Sequence, residues 1–115
     1  MKKRFDINDF ELTTNKYNQY EIKRYIGDDR IVYLPSSVMN LPIVGIHKDC
    51  FKDNLNVKLV ILSNSIKDIH QLAFKGTKHL FVFSPNSKEI LDLSNLVDVW
   101  VKYELSDIVS DEDLF

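Results

Sequence analysis

Ile43-Val44-Gly45-Ile46-His47-Lys48-Asp49-Cys50-Phe51-Lys52 returns as Ile66-Lys67-Asp68-Ile69-His70-Gln71-Leu72-Ala73-Phe74-Lys75, at an offset of 23 residues with five of ten positions identical. Downstream, Val60, Asn64 and Ser65 come back as Val82, Asn86 and Ser87 at an offset of 22. Upstream, Val32, Leu34 and Ser37 anticipate Val60, Leu62 and Ser65 at an offset of 28, and the five extra residues fit a loop around Met39-Asn40-Leu41-Pro42. A period of 22 to 23 residues suits a solenoid coil, in which a short strand and a turn return the chain to the next strand. One coil cannot bury its own apolar side, so neighbouring coils must stack and share a core.

These units resemble the BspA-like class of bacterial leucine-rich repeats, in which a strand ending in Ile-Pro is followed by a polar turn and then by Ile-Gly-x-x-Ala-Phe. The matching strands are Val32-Tyr33-Leu34-Pro35, Val60-Ile61-Leu62-Ser63 and Val82-Phe83-Ser84-Pro85, and the matching turns run from Ile46 to Phe51 and from Ile69 to Phe74. His47 and His70 stand where the family usually has glycine, and Ser63 where it has proline. The resemblance implies a strand-rich α/β solenoid of two to three repeats and a role in protein recognition, often at bacterial cell surfaces.

On this reading residues 1–103 form one leucine-rich-repeat domain, with a lead-in and N-terminal cap (1–29), repeats (30–88) and a C-terminal cap (89–103), followed by an acidic tail (104–115). The N-terminal cap is expected to be a hairpin in which residues 20–26 and 30–34 flank Gly27-Asp28-Asp29. Residues 5–18 fit neither the strand nor the helix period and are read as a lead-in with at most one helical turn. Val99-Trp100-Val101 reads as a closing strand over the last apolar layer.

Composition supports a folded core. Of 115 residues 44% are hydrophobic and 28% charged, with only three glycines and three prolines, which excludes a disordered chain. The net charge of -2 argues against direct nucleic-acid binding and against attachment to anionic membranes. Charge is unevenly placed: residues 104–115 hold five acids and no base, leaving 12 acids and 15 bases in the rest. The single cysteine excludes an intrachain disulfide and the cysteine-rich zinc frameworks, and fits a reducing compartment. Phe5-Asp6-Ile7-Asn8-Asp9 interrupts any apolar leader after the basic Met1-Lys2-Lys3-Arg4, so a cytoplasmic location is expected. No apolar run is long enough to span a membrane.

Strand side chains alternate between faces. If Val32, Leu34, Val60, Leu62 and Val82 point inward, two outward rows are left: Ile31, Leu59 and Phe81, and beside them Tyr33, Ile61, Phe83 and Trp100. Four stacked strands at about 4.8 Å spacing make a ladder about 15 Å long. An apolar stripe of this kind is an interface when exposed, and part of the core when the N-terminal segment or the tail residues Leu105, Ile108, Val109, Leu114 and Phe115 cover it. A homodimer that buries the stripe against itself is the intermediate case.

His47 and His70 occupy equivalent places in successive coils, but two imidazoles without a carboxylate or thiolate make a poor metal site. His79 reads as a surface loop residue. Cys50 aligns with Ala73, which marks it as packing and not as a nucleophile. Lys52 and Lys75 read as a solvated face, and the acidic tail as a solvated end or as an imitation of nucleic-acid phosphates. Phosphate loops, nucleophile elbows and His-Glu-x-x-His pairs do not occur. The expectation is therefore a protein-protein interaction module without catalytic residues, cofactor or metal, whose partner is another protein or a second copy. The alternative is a phage or mobile-element inhibitor of a bacterial defence complex, of the anti-CRISPR kind.

Overall fold

The computed structural model of the chain describes residues 6–84 and 99–102. A 3-10 turn, Ile7–Asp9, leads into β1 (Phe10–Thr14), followed by β2 (Tyr20–Tyr25), β3 (Ile31–Tyr33), β4 (Ser37–Val38), β5 (Leu41–Ile46), β6 (Leu59–Ile61), β7 (Asp68–Ile69), β8 (Leu80–Phe83) and β9 (Val99–Lys102). Strands β3, β6, β8 and β9 form one sheet in that order, and every neighbouring pair is parallel. A second sheet centres on β5, which pairs in parallel with β2 on one side and β7 on the other. Parallel partners drawn from successive turns of the chain are the signature of a solenoid.

Alternation along the strands builds the core. Val32, Val60, Val82 and Val101 lie opposite one another across the first sheet, and the first three are 0–3% exposed. Leu34 and Leu62 continue this wall just beyond the strand ends, where their N–H groups donate to the carbonyls of Ile61 and Phe83 at 2.9 Å. All five residues expected to point inward are buried. The facing wall comes from Ile22, Ile46 and Ile69, which share one register row of the second sheet.

A column of aromatic rings runs through this core. Phe10 and Tyr25 lie 5.1 Å apart between ring centroids, Tyr25 and Phe51 5.3 Å, and Phe51 and Phe74 5.2 Å at an interplanar angle of 14°. The backbone explains the spacing. Phe51 N–H donates to Ala73 O at 2.7 Å, and Tyr25 N–H donates to Cys50 O at 3.0 Å, so each ring sits one coil above the next. Tyr25 thus occupies the phenylalanine place of an additional, earlier coil. Its burial pushes the phenol up to about 12, while its oxygen accepts the Asp29 N–H at 2.9 Å.

Three expectations are corrected. First, residues 20–26 and 30–34 do not pair as a hairpin. β2 and β3 lie in different sheets, with Gly27-Asp28-Asp29 turning a corner between them. A hairpin does exist at the N-terminal side, but β1 makes it with β2, so the unassigned lead-in carries a strand as well as its helical turn. Second, the insertion at 39–42 is a tight hairpin between β4 and β5. Met39 and Asn40 supply the two positive φ values (50° and 68°) that such a two-residue turn requires. Third, no α-helix occurs among the described residues, so that part of the chain is strand-rich, with only the 3-10 turn Ile7–Asp9 as helix. The described return segments, between β5 and β6 and between β7 and β8, are short turns broken by left-handed residues at Asp49, Asp53 and Gly76, so no helical run develops there.

Candidate functional site

The outward face of the β3-β6-β8-β9 sheet gathers the sequence-predicted contact residues, with one change of row. Ile31, Leu59, Phe81 and Trp100 stand in register, and beside them Tyr33, Ile61, Phe83 and Lys102. Trp100 therefore belongs with Ile31, Leu59 and Phe81 and not with Tyr33, Ile61 and Phe83. The displacement is two residues, which preserves the face of the sheet and alters only the position along it. The cause lies in β9, where Leu80 pairs with Val99.

Exposure varies across this face. Tyr33 and Trp100 are 41% and 43% exposed, whereas Ile61, Phe81 and Phe83 are half-buried. Ile31 and Leu59 are buried, at 6% and 3%, and so do not offer themselves to solvent as the alternation alone suggested. Trp100 meets two rings from the β8 side, Phe81 at 5.4 Å and His79 at 6.1 Å, the latter nearly parallel at 15°. His79, expected from sequence to be a surface loop residue, lies against Trp100 instead of standing free. It stands just before β8 in the left-handed region (φ 51°), where strand alternation does not apply, so no periodic signal pointed to it.

The histidine pair separates into two local contacts. His47 Nε2 donates to Glu21 Oε1 at 2.7 Å, tying β5 to β2. His70 Nδ1 accepts the Leu72 N–H at 3.1 Å. Among the described residues no group of three or more His, Cys, Asp or Glu side chains is placed to hold a metal ion. Both imidazoles line a groove of about 570 Å³ on the outer side of the second sheet, with Gly45 on its floor and Glu21, Lys23, Arg24 and Asp68 around it. Acids and bases both contribute to this lining, so it favours no ligand of one sign.

Cys50 is 1% exposed, and burial pushes its thiol up to about 12. A thiol held protonated is neither a nucleophile nor a ready metal ligand. Its role is to pack beneath the ring column, as Ala73 does one coil later. The tail residues 104–115 and the cap segment 89–98 lie outside the described residues.

Two solved structures share this architecture. A leucine-rich-repeat protein of T. pallidum superposes with a TM-score of 0.62 at 23% identity, over 72% of this chain and 44% of its own. A leucine-rich cell surface protein of Faecalibacterium prausnitzii A2-165 superposes with a TM-score of 0.63 at 15% identity, over 86% of this chain and 30% of its own. The chain thus has the fold of bacterial leucine-rich repeats and spans less than half the length of either protein. No family model and no curated protein matches it. Among the described residues no helix is long and apolar enough to cross a membrane.

Proposed function

We propose that this leucine-rich-repeat fold serves as a non-enzymatic protein-binding module, with the outward face of the β3-β6-β8-β9 sheet as its contact surface. The observation that carries the reading is the pair of large exposed rings, Tyr33 and Trp100, set at the two outer strands with Ile61, Phe81 and Phe83 between them. Aromatic side chains that keep a fixed position while remaining accessible present large contact area at small entropic cost, which is why they anchor protein interfaces. Contact of Trp100 with Phe81 and His79 restrains its ring before a partner arrives. In this reading β1 and β2 close the solenoid on one side, and β9 is the strand that closes it on the other. Its partner is a protein, and its setting is a reducing compartment, in keeping with a single free cysteine.

The test is the pair Tyr33→Ser and Phe83→Ser in the full chain. The variant is expected to keep its far-UV circular dichroism spectrum and to lose, in a quantitative pull-down from the native host, proteins that the parent chain retains. An unchanged set of retained proteins sinks the assignment of this face. Outright unfolding does so too, because it makes the two rings part of the core.

A further inference from the structure

Gly45 stands where the fold has no need of a glycine. It lies within β5, with Glu21 of β2 and Asp68 of β7 as its register partners on either side. Glycine inside a strand costs conformational entropy and offers no side chain to pack, and it often marks a place where another group comes close to the backbone. No left-handed φ calls for it here, Gly76 being the glycine that has one. Nor does crowding, because a Cβ at residue 45 would meet Glu21 and the Asp68 carbonyl at 3.4–3.5 Å, an ordinary van der Waals distance. The next coil carries a side chain, that of Asp68, at the equivalent place. What the glycine does is keep open the floor of the groove of about 570 Å³ on the outer side of this sheet.

Charge is ordered along that groove. Glu21 and Asp68 flank Gly45 in one outward row. Glu21 Oε1 accepts from His47 Nε2 at 2.7 Å, which leaves Oε2 at 3.5 Å from the place a Gly45 Cβ would take. A carboxylate oriented in this way is a ready acceptor for an ammonium group lying on the glycine. Because β2 and β5 run parallel, Lys23, Arg24 and Lys48, which follow Glu21 and Gly45 in sequence, lie on the same side of that row and line the groove there. Glu11 and Asp49 offset two of these three bases, so this end keeps one base in excess beside the imidazoles, against two carboxylates at the other end.

We propose that the groove is a binding site for a short zwitterion whose opposite charges stand about 7 Å apart, the class represented by an extended dipeptide. Lys23 and His47 come two residues after Glu21 and Gly45, which sets the two outward rows about 6.6–6.8 Å apart. Two residues of extended chain span about 6.6–7.2 Å, the same length. The amino end lies on Gly45 between Glu21 and Asp68, and the carboxylate lies toward Lys23, Arg24 and Lys48. The site uses none of the residues assigned to the protein-binding face, so either reading can fail alone.

The test is a titration of the full chain, isotope-labelled at its backbone nitrogens, with L-alanyl-L-alanine at fixed pH and low salt, followed by NMR. Saturable shifts are expected at the amides of Gly45, His47 and Asp68, with a dissociation constant in the millimolar range that suits a small ligand in an open groove. Acetylating the amino end or amidating the carboxyl end should each weaken binding roughly tenfold. Free alanine, whose charges are too close together to reach both rows, should bind no better than the blocked peptides. Gly45→Ala should keep a urea midpoint no lower than the parent's and lose the saturable response. Asp68→Asn, at an exposed position, should weaken binding roughly tenfold and decides the question if the glycine variant fails to fold. Shifts that never saturate, that survive both blocking groups, or that fall on Tyr33, Ile61 and Phe83 instead overturn the proposal, as does unchanged binding in either variant.

Discussion

The aromatic column makes a quantitative prediction about how stability is shared between coils. Phe51 and Phe74 are each 1% exposed, with rings 5.2 Å apart, and Phe51 also meets Tyr25 at 5.3 Å. Replacing either phenylalanine by leucine keeps an apolar group but removes the ring, at a cost of roughly 1–2 kcal/mol for lost burial and residual cavity. Each ring pair lost adds about 0.5–1.5 kcal/mol. Phe51→Leu, which breaks two pairs, should therefore cost about 2–5 kcal/mol, and Phe74→Leu, which breaks one, somewhat less. Because both changes remove the same contact, the double variant should be less damaging than the sum by about 0.5–1.5 kcal/mol. Phe10, three ring spacings from Phe74, should show no coupling to it beyond the usual scatter of about 0.3–0.5 kcal/mol. Urea unfolding followed by circular dichroism measures all of these on a chain whose total stability is about 5–15 kcal/mol. Additive behaviour of Phe51 and Phe74, or coupling of Phe10 to Phe74 as large as theirs, would refute a column built from nearest-neighbour contacts.

Gly76 adopts a φ of 83°, and a Cβ there would collide with Asp53 Oδ1 and lie 3.2 Å from Asp53 Cα. Gly76→Ala should cost about 2 kcal/mol from left-handed strain and crowding, and Asp53→Ala should relieve part of it in a thermal melt. Tyr25 and Cys50 are both pushed up to about 12 by burial, from 10.0 and 9.0, so the folded chain keeps protons that the unfolded chain has released. Stability should be full below about pH 9 and fall as pH rises through 12, by up to about 1.4 kcal/mol per pH unit for each group; Tyr25→Phe should flatten the slope above pH 10. At pH 8 Cys50 should react with a chromogenic disulfide only on addition of denaturant, and rapid labelling of the native chain would contradict its buried position.

What could be read from the residues alone depended on how regular each coil is. The second and third coils share Ile46 to Phe51 and Ile69 to Phe74 at one spacing, and their strands and inward valines emerge from that alignment. The first coil escaped because its isoleucine and aromatic residue, Ile22 and Tyr25, are three residues apart instead of five, and because Tyr replaces Phe. Gly27 then looked like the turn of a hairpin, although sequence spacing cannot distinguish a turn within one sheet from a corner between two. Trp100 was placed on the correct face but two residues out of row, since parity is encoded locally and register is set by the partner strand. The burial of Ile31 and Leu59 had no local signal at all, because it depends on what packs over the sheet.

The ring column also sets a unit of length. Its rungs are added one coil at a time, each bringing one strand to the contact face, so the width of that face cannot grow continuously. Duplicating a single 23-residue stretch between Phe51 and Phe74 should lengthen the face by one step of about 4.8 Å. Evolution, or an engineer, can thus fit partners of different breadth by counting coils, leaving the residues at either end untouched.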